Sequence, residues 1–260
     1  MKPKPRHLER DYAEQFMDRS VVEAYGFRPP YPDETFDVLE ELLADEPRAV
    51  LDAGCGTGSV ARWLAGRVDR IDAVDFSQHM VDTARRLPGG DQQNIHWRVA
   101  AMEDAPLSPP YGLVTAGQSL HWMAWDVVIP RFREALSPGG LLVVIGHEFV
   151  PAPWEDELQQ LIPRYSTNRD YQPYDLVPEL EERGLFEQQG ERRTGFVPLI
   201  SSVDDYIESF HSANGFSRDR MDPGAASAFD LALREMVLDR LPGGRVESAY
   251  AASLVWGRPL

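Results

Sequence analysis

The chain has 260 residues, of which 43% are hydrophobic and 26% charged, and its formal net charge is -16. This size and composition allow one α/β domain with an elaboration. A protein that neutralises phosphates usually carries a basic patch, but the only lysines here are Lys2 and Lys4, and the arginines are interspersed with acids. The acidic balance therefore argues against nucleic acid and against an anionic membrane surface as partners.

Targeting and redox signals are sparse. No run of 18 apolar residues occurs, and the first ten residues lack the apolar region of a secretory signal. The single cysteine, Cys55, can form no intrachain disulfide, which agrees with a reducing compartment. We therefore expect a cytoplasmic protein, a monomer or homodimer. No metal is expected, because the histidines and acids show no metal-ligand spacing.

Strand-like and helix-like patterns alternate up to about residue 150. The β-rich runs are 49–52, 71–76, 95–100, 113–117 and 141–147. Several are nearly continuous apolar runs, as expected for strands covered on both faces. Their alternation with helical patterns predicts an α/β fold, a Rossmann-like, doubly wound and mostly parallel sheet.

The regular alternation of strand-like and helix-like patterns ends after the fifth β-rich run. Residues 186–199 read as a sixth strand and 246–256 as a final, antiparallel strand, while 150–180 and 201–243 read as a helical cap. Residues 12–27 look helical, and Asp33 is placed to cap the next helix. We therefore predict an N-terminal helical segment at 1–34, a Rossmann-like core at 35–149, and at 150–260 the helical cap with the last two strands of the core sheet.

The strongest signal is a glycine loop between the first strand and the next helix. Asp52 precedes Gly54, Gly56 and Gly58, and glycines let the backbone turn sharply and approach a ligand closely. A phosphate-binding P-loop would need a lysine before Ser59, and a dinucleotide fingerprint would need a glycine at position 59. Asp52 would also oppose a pyrophosphate. The pattern favours a cationic ligand without phosphate, such as S-adenosylmethionine (AdoMet), which carries an ammonium and a sulfonium.

A second acid stands where a nucleoside-binding fold needs one. Asp75 ends the second strand, about 20 residues beyond the loop, where an acid accepts the hydroxyls of a ribose. A carboxylate can accept both hydroxyls at once. Phe76 and Met80 follow it and are expected to cover the adenine or the ribose.

With these residues the chain resembles the class I AdoMet-dependent methyltransferases. Within them it is similar to the branch that contains trans-aconitate methyltransferase and the ubiquinone/menaquinone biosynthesis methyltransferases, over residues 25–148. The resemblance implies that loop 52–58 holds the methionine moiety and that 73–80 bind the ribose. It also implies that Met102 or Glu103 contacts the adenine, with Ala101 in place of a frequent family Asp, and that Tyr25 and Arg28 reach the cofactor.

Candidate residues for the chemistry follow the fourth and fifth strands, because ligands of such sheets bind at the carboxyl ends of strands. Methyl transfer needs mainly positioning, which can supply about 7–11 kcal/mol, but an alcohol or phenol must also lose a proton. His121 is the first candidate for that base, Gln118 is expected at the cofactor, and Trp122 at the pocket wall. His147, and His211 in the cap, are further candidates for contact with the substrate.

We therefore expect an AdoMet-dependent enzyme that methylates an oxygen or carbon of a small metabolite, such as a carboxylic acid or a natural-product phenol. Three alternatives stay open at this point. One is an AdoMet enzyme of cyclisation or decarboxylation, and another is a non-catalytic AdoMet-binding module. The third, a nicotinamide oxidoreductase, is opposed by Asp52 and by the absence of a glycine at position 59.

Overall fold

The computed structural model describes residues 4–44, 46 and 48–260, so Lys2 and the start of the predicted N-terminal segment lie outside the described residues. The strands are β1 (Ala49–Ala53), β2 (Arg70–Asp75), β3 (Ile95–Val99), β4 (Tyr111–Gly117), β5 (Leu136–Phe149), β6 (Phe186–Arg193), β7 (Val197–Ser202) and β8 (Arg245–Pro259). The α-helices are α1 (Arg10–Ala13), α2 (Arg19–Ala24), α3 (Asp33–Leu42), α4 (Ala61–Leu64), α5 (Gln78–Arg86), α6 (Trp125–Ala135), α7 (Glu155–Tyr165), α8 (Leu176–Glu182), α9 (Val203–His211) and α10 (Pro223–Arg240).

All eight strands belong to one sheet. Its order is β3-β2-β1-β4-β5-β8-β6, and β7 also pairs with β8. The first five strands are parallel, whereas β8 is antiparallel to β5, β6 and β7. This confirms the predicted mixed α/β fold with an antiparallel final strand. Asp52 lies opposite Ala73 on β2 and opposite Thr115 on β4, so the carboxyl ends of these three strands meet at one edge.

Helices cover both faces of the sheet, as the apolar strand runs predict. Successive residues of a strand point to opposite faces, and every residue of β1 is buried. Leu51 belongs to the core under α6 and α8, while Val50 belongs to the core under α3 and α4. The continuous apolar run of β1 is therefore explained by apolar packing on each side.

The C-terminal part differs from its prediction in one respect. The single strand predicted at 186–199 is wrong, because the chain forms β6 and β7 there, both paired with β8. Between them, the Thr194 hydroxyl accepts the Ala252 amide, and the Gly195 amide donates to Glu34. These contacts turn the chain, so three strands, not two, follow residue 150. The domain boundaries themselves stay a prediction.

The N-terminal part also departs in detail from its prediction. Residues 12–27 form two short α-helices joined by 3-10 turns at Glu14–Met17 and Tyr25–Phe27. Asp33 does not cap α3 but is its first residue, after Pro32 at the cap position, because the proline ring already fixes an extended backbone there. Asp33 still places a negative charge in the first turn of the helix.

The predicted cap is a helical layer with its own core. Apolar side chains of α7, α9 and α10 pack together, with Phe229 and Leu233 completely buried. In the part of the chain that the structure describes, no helix is long and apolar enough to cross a membrane.

Candidate active site

A cavity of about 680 Å³ opens at the carboxyl edge of the parallel strands. Its wall is built by the loops after β1, β2, β3 and β4 and by the start of α6, and the N-terminal segment lies over it. The volume is in the range of small-molecule sites. Ten predicted site residues line it: Tyr25, Gly54, Gly56, Asp75, Phe76, Met80, Met102, Glu103, Gln118 and Trp122.

The glycine loop forms the floor of the cavity next to β1. Gly54 and Gly56 have φ of +69° and +52°, a region that favours glycine. A Cβ on Gly54 would lie 2.5 Å from the Cβ of Ser119, whose hydroxyl donates to the Ala53 carbonyl at 2.6 Å. The backbone at Gly54 can therefore lie against the loop that follows β4 only because it carries no side chain.

Asp75 links the glycine loop to the end of β2. One carboxylate oxygen accepts the Gly56 amide and the other accepts the Ser77 amide, each at 2.8 Å. Burial raises the pKa of Asp75 to about 6, against the opposing effect of these two amides. Each oxygen keeps a second lone pair. The ionised group can therefore accept two further hydroxyls from the cavity side.

Apolar side chains close the cavity beyond Asp75. Met80 and Met102 are buried in its wall, and Phe76 is also part of the lining. The Glu103 carboxylate accepts the Ala124 amide at 2.8 Å, just before α6 begins. This part of the wall can hold a flat, largely apolar group, and the Glu103 carboxylate lies at its edge.

Gln118 and Trp122 complete the side of the wall next to β4. Gln118 has φ of +51°, which is strained for a residue with a side chain, and its amide donates to Ile145 at 2.9 Å. The Trp122 ring lies 5.4 Å from the ring of Phe16 in the N-terminal segment. The contact between these two rings joins the N-terminal segment to the cavity wall.

The N-terminal segment supplies lining residues that sequence reasoning missed. They are Lys4, Glu9, Arg10, Ala13 and Phe16, together with Ser119, Met123 to Asp126, Arg183 and Leu185 from the core and cap. No local pattern identifies the lining residues of the N-terminal segment, because the folding back of residues 4–28 over the sheet edge is a long-range event. The Lys4 ammonium donates to the Met123 carbonyl at 2.9 Å, and burial lowers the pKa of Lys4 to about 8.

Tyr25 lines the cavity, but Arg28 does not. The Tyr25 ring lies near Gly56, within 3.7 Å of a Cβ built there. The Arg28 guanidinium lies 4.4 Å from the centre of the Tyr25 ring and donates to the hydroxyl and carbonyl of Ser212. Arg28 thus packs against the Tyr25 ring and links the N-terminal segment to the cap.

Asp52 and Gly58 are also not part of the lining. The buried carboxylate of Asp52 accepts the Thr115 hydroxyl at 3.0 Å and the Ala61 amide at 3.2 Å. It joins β1 to β4 and to the start of α4, and burial raises its pKa to about 7. Gly58 is not in the cavity lining. A Cβ built on Gly58 would lie 2.6 Å from the Trp97 ring. Asp52 therefore makes its hydrogen bonds within the chain, and its expected contact with a cationic ligand stays a prediction.

None of the three candidate histidines reaches the cavity wall. His121 lies behind Trp122, with 4.7 Å between ring centres, and burial, with the charge of Lys4 next, lowers its pKa to about 3. His211 is fully buried in the cap, where its ring nitrogens lie 2.8 Å from the Phe216 carbonyl and 2.7 Å from Asp230. His147 stacks on Tyr31, with ring centres 4.4 Å apart. The assignment of His121 as a base stays a prediction.

Sequence comparisons match part of this chain to known methyltransferases. A sequence model described as a methyltransferase domain matches residues 50–140. Trans-aconitate 2-methyltransferase of Rhodopseudomonas palustris is 37% identical over 42% of each chain. Malonyl-[acyl-carrier protein] O-methyltransferase of Halalkalibacterium halodurans is 32% identical over 38% of this chain and 39% of its own. A proposed methyltransferase of Dictyostelium discoideum is 22% identical over 76% of each. The first two alignments thus span less than half of those relatives.

Solved structures share the fold over a larger part of the chain. A proposed type II methyltransferase from Anaeromyxobacter dehalogenans superposes with a TM-score of 0.61 at 23% identity, covering 89% of this chain and 97% of that one. Phosphoethanolamine N-methyltransferase 2 of Haemonchus contortus, solved with S-adenosylhomocysteine, gives a TM-score of 0.54 at 15% identity, covering 96% of this chain and 60% of its own. Residues 50–140 thus match a methyltransferase domain, the sequence resembles the trans-aconitate methyltransferases over part of its length, and the chain shares the fold of solved methyltransferases.

Proposed function

We propose that the chain binds AdoMet in the cavity at the carboxyl edge and transfers its methyl group to an oxygen or carbon of a small molecule. The observation that carries the proposal is the joint geometry of the glycine loop and Asp75. Gly56 donates its amide to Asp75, and both face the same cavity. A nucleoside whose ribose hydroxyls meet Asp75 would place its other end over the loop.

The side chains of the cavity wall suit this cofactor. Phe76, Met80 and Met102 offer an apolar slot for the adenine, with Glu103 at its edge. Tyr25 and Gly54 bound the loop, where the methionine moiety would lie. The Asp75 carboxylate already accepts the Gly56 amide of the loop, and its charge suits a ligand with an ammonium and a sulfonium and opposes a pyrophosphate.

The shape of the site supports a small acceptor. Residues of the N-terminal segment lie over the cavity, and Phe16 meets Trp122 across it. A folded protein or a duplex could not enter beneath such a cover without displacing it. The chain's net charge of -16 also opposes a nucleic-acid acceptor.

The chemistry asks little of the protein beyond placement. AdoMet supplies a methyl group on an already activated leaving group. The chain would hold the ribose at Asp75, keep the methionine end on the glycine loop, and exclude water with Phe16, Trp122 and Met123. Placement of this kind can supply about 7–11 kcal/mol of the barrier.

A label-transfer experiment tests the proposal. The protein is incubated with methyl-labelled AdoMet and a metabolite extract separated by size into small molecules, nucleic acid and protein. Label should move to the small-molecule fraction while S-adenosylhomocysteine accumulates in equal amount. Label on nucleic acid or protein would refute the small-molecule acceptor. Release of methylthioadenosine instead would favour the alternative of cyclisation or decarboxylation chemistry.

A further inference from the structure

Three aromatic side chains of the cavity lining stand next to one another, and we call them the ring cluster. They are Phe16, Tyr25 and Trp122. The ring centre of Phe16 lies 5.4 Å from that of Trp122 and 6.5 Å from that of Tyr25. Phe16 and Tyr25 come from the N-terminal segment, whereas Trp122 follows β4. The cover and the sheet edge therefore both contribute to one aromatic surface.

The rings of the cluster are packed at steep angles to one another. The planes of Phe16 and Tyr25 are 84° apart, and those of Phe16 and Trp122 are 59° apart. In such a contact the edge of one ring covers at most one face of the other. All three residues also keep part of their surface exposed while they line the cavity. The ring cluster thus presents π surface to a ligand.

The ring cluster lies beside the expected middle of the cofactor. A Cβ built on Gly56 would lie 3.7 Å from a ring carbon of Tyr25, and the Gly56 amide donates to Asp75. In AdoMet the sulfonium joins the ribose to the methionine moiety. With the ribose at Asp75 and the methionine moiety on the glycine loop, the sulfonium would lie where these two meet, next to Tyr25.

The carboxylates of the described lining already have partners. Glu9, Glu103 and Asp126 each interact with the charge of the Lys4 ammonium. Asp75 accepts two backbone amides and, in the proposed site, the ribose hydroxyls. The ring cluster is therefore a further partner for a positive charge at the centre of the cavity.

Aromatic rings attract cations through their negative faces. The attraction acts within about 6 Å of the ring centre, is greatest for tryptophan, and grows when water is excluded. The sulfonium of AdoMet carries a full positive charge, whereas the thioether of S-adenosylhomocysteine carries none. The two ligands differ only in the methyl group and this charge, so the rings can distinguish them.

We propose that Phe16, Tyr25 and Trp122 hold the sulfonium of AdoMet by cation–π contact. The ring cluster then adds to the affinity for the charged cofactor and not to that for S-adenosylhomocysteine. This inference rests on the proposed function, because it takes the ribose to lie at Asp75. Since two of the rings belong to the N-terminal segment, the cover itself takes part in recognising the methyl donor.

The test compares the binding of AdoMet and of S-adenosylhomocysteine to the full chain by isothermal titration, without an acceptor. Phe16→Leu and Trp122→Leu keep an apolar side chain but remove a ring, and Phe16→Tyr keeps the ring. Tyr25 stays in place because its ring also contacts Arg28. Phe27→Leu is the matched control, since Phe27 is 41% exposed in the same segment and outside the cavity lining. Circular dichroism checks the fold of each variant.

The measured quantity is the ratio of the association constants of AdoMet and S-adenosylhomocysteine. Phe16→Leu and Trp122→Leu should each lower this ratio about three- to tenfold, the loss of one desolvated cation–π contact. Phe16→Tyr and Phe27→Leu should keep the wild-type ratio.

Two outcomes overturn the proposal while the proposed function stands. One is an unchanged ratio in Phe16→Leu and Trp122→Leu with S-adenosylhomocysteine still bound, because the rings would then only cover the cavity. The other is an equal fall of the ratio in Phe27→Leu. Failure of the folded wild type to bind S-adenosylhomocysteine overturns the proposed function first and this inference with it.

Discussion

The carboxylate of Asp75 both accepts the Gly56 amide of the glycine loop and lines the cavity, so in the proposed site cofactor binding should depend on pH. Its folded-state pKa is raised by burial to about 6. Only the ionised form accepts hydrogen bonds from two ribose hydroxyls while it keeps those from Gly56 and Ser77. Cofactor affinity should therefore rise as the pH passes upward through 6.

We predict that the dissociation constant of S-adenosylhomocysteine increases about fourfold between pH 7.5 and pH 5.5, as the ionised fraction falls. Isothermal titration at several pH values measures this, and Asp75→Asn should show no such dependence.

The free energy of unfolding of the unloaded protein should instead fall as the pH rises. A raised carboxyl pKa means that the native state binds more protons, so this contribution to stability is present below about pH 4 and is lost as the pH rises to about 6. A constant affinity across this range in the wild type would contradict the role of Asp75.

Gly54 offers a steric prediction with a matched control. Gly54→Ala must fit a Cβ 2.5 Å from Ser119 at φ of +69°. Strain and the clash should lower the unfolding free energy by about 1–3 kcal/mol and weaken S-adenosylhomocysteine binding. Gly66→Ala meets nothing within 4 Å and should change stability by less than about 1 kcal/mol. Urea unfolding of both variants measures the difference, and equal stability would argue against this description of the loop.

At the scale of elements, the N-terminal segment is fastened to the cap loop at residues 212–220 more than to the sheet. Asp18 accepts the Ser217 hydroxyl and the Arg220 guanidinium, each at 2.6 Å. The Gly215 amide donates to Gln15 at 2.9 Å, and Arg28 donates to Ser212. The cover of the cavity is thus held in place by a loop that does not touch the cofactor site.

Asp18→Ala should therefore weaken cofactor binding from a distance. Without these links the segment would leave the sheet edge more often, and S-adenosylhomocysteine should dissociate several-fold faster, with faster hydrogen exchange in residues 4–28. Stopped-flow dissociation and hydrogen-exchange mass spectrometry measure both effects. Glu23→Ala is the control, because Glu23 pairs only with Arg19 among the residues that the structure describes, at an exposed surface. The segment has no covering role if the two variants release the ligand at the same rate.

The parts of the site that sequence predicts are those fixed by local patterns. An apolar run followed by alternating glycines and then an acid at the next strand end gives β1, the loop and Asp75, because each depends on near neighbours in the chain. The hydrogen bond that the Thr115 hydroxyl donates to the loop acid Asp52 joins two different strands and could not be predicted. The burial of His211 beside Asp230 is equally a contact between two helices, α9 and α10. Such contacts leave no periodic trace in the sequence.

The cover of the cavity shows the same limit more strongly. Lys4 and Phe16 line the site because the chain folds back across the sheet edge, and nothing near them in sequence marks that path. The division of 186–199 into β6 and β7 likewise depends on Ala252 of β8, which pairs with Thr194. Long-range contacts therefore decided both of these features, which the sequence did not predict.

On the scale of the whole molecule, the sheet, the cap and the N-terminal segment meet around one cavity. The sheet supplies the loop and Asp75, the cap holds the segment, and the segment lies over the ligand edge. An acidic molecule with this arrangement is suited to a cationic cofactor and a small acceptor. The central claim is that the cavity is an AdoMet site and not a dinucleotide site.

The most direct test is a calorimetric titration of the wild type and of Asp75→Asn with S-adenosylhomocysteine, beside NADH. The claim predicts that the wild type binds S-adenosylhomocysteine and gives no heat with NADH. It also predicts that Asp75→Asn binds about 10- to 100-fold more weakly, the loss of hydrogen bonds to a charged group. NADH binding, an unaltered affinity in Asp75→Asn, or no binding of S-adenosylhomocysteine by the folded wild type would contradict it.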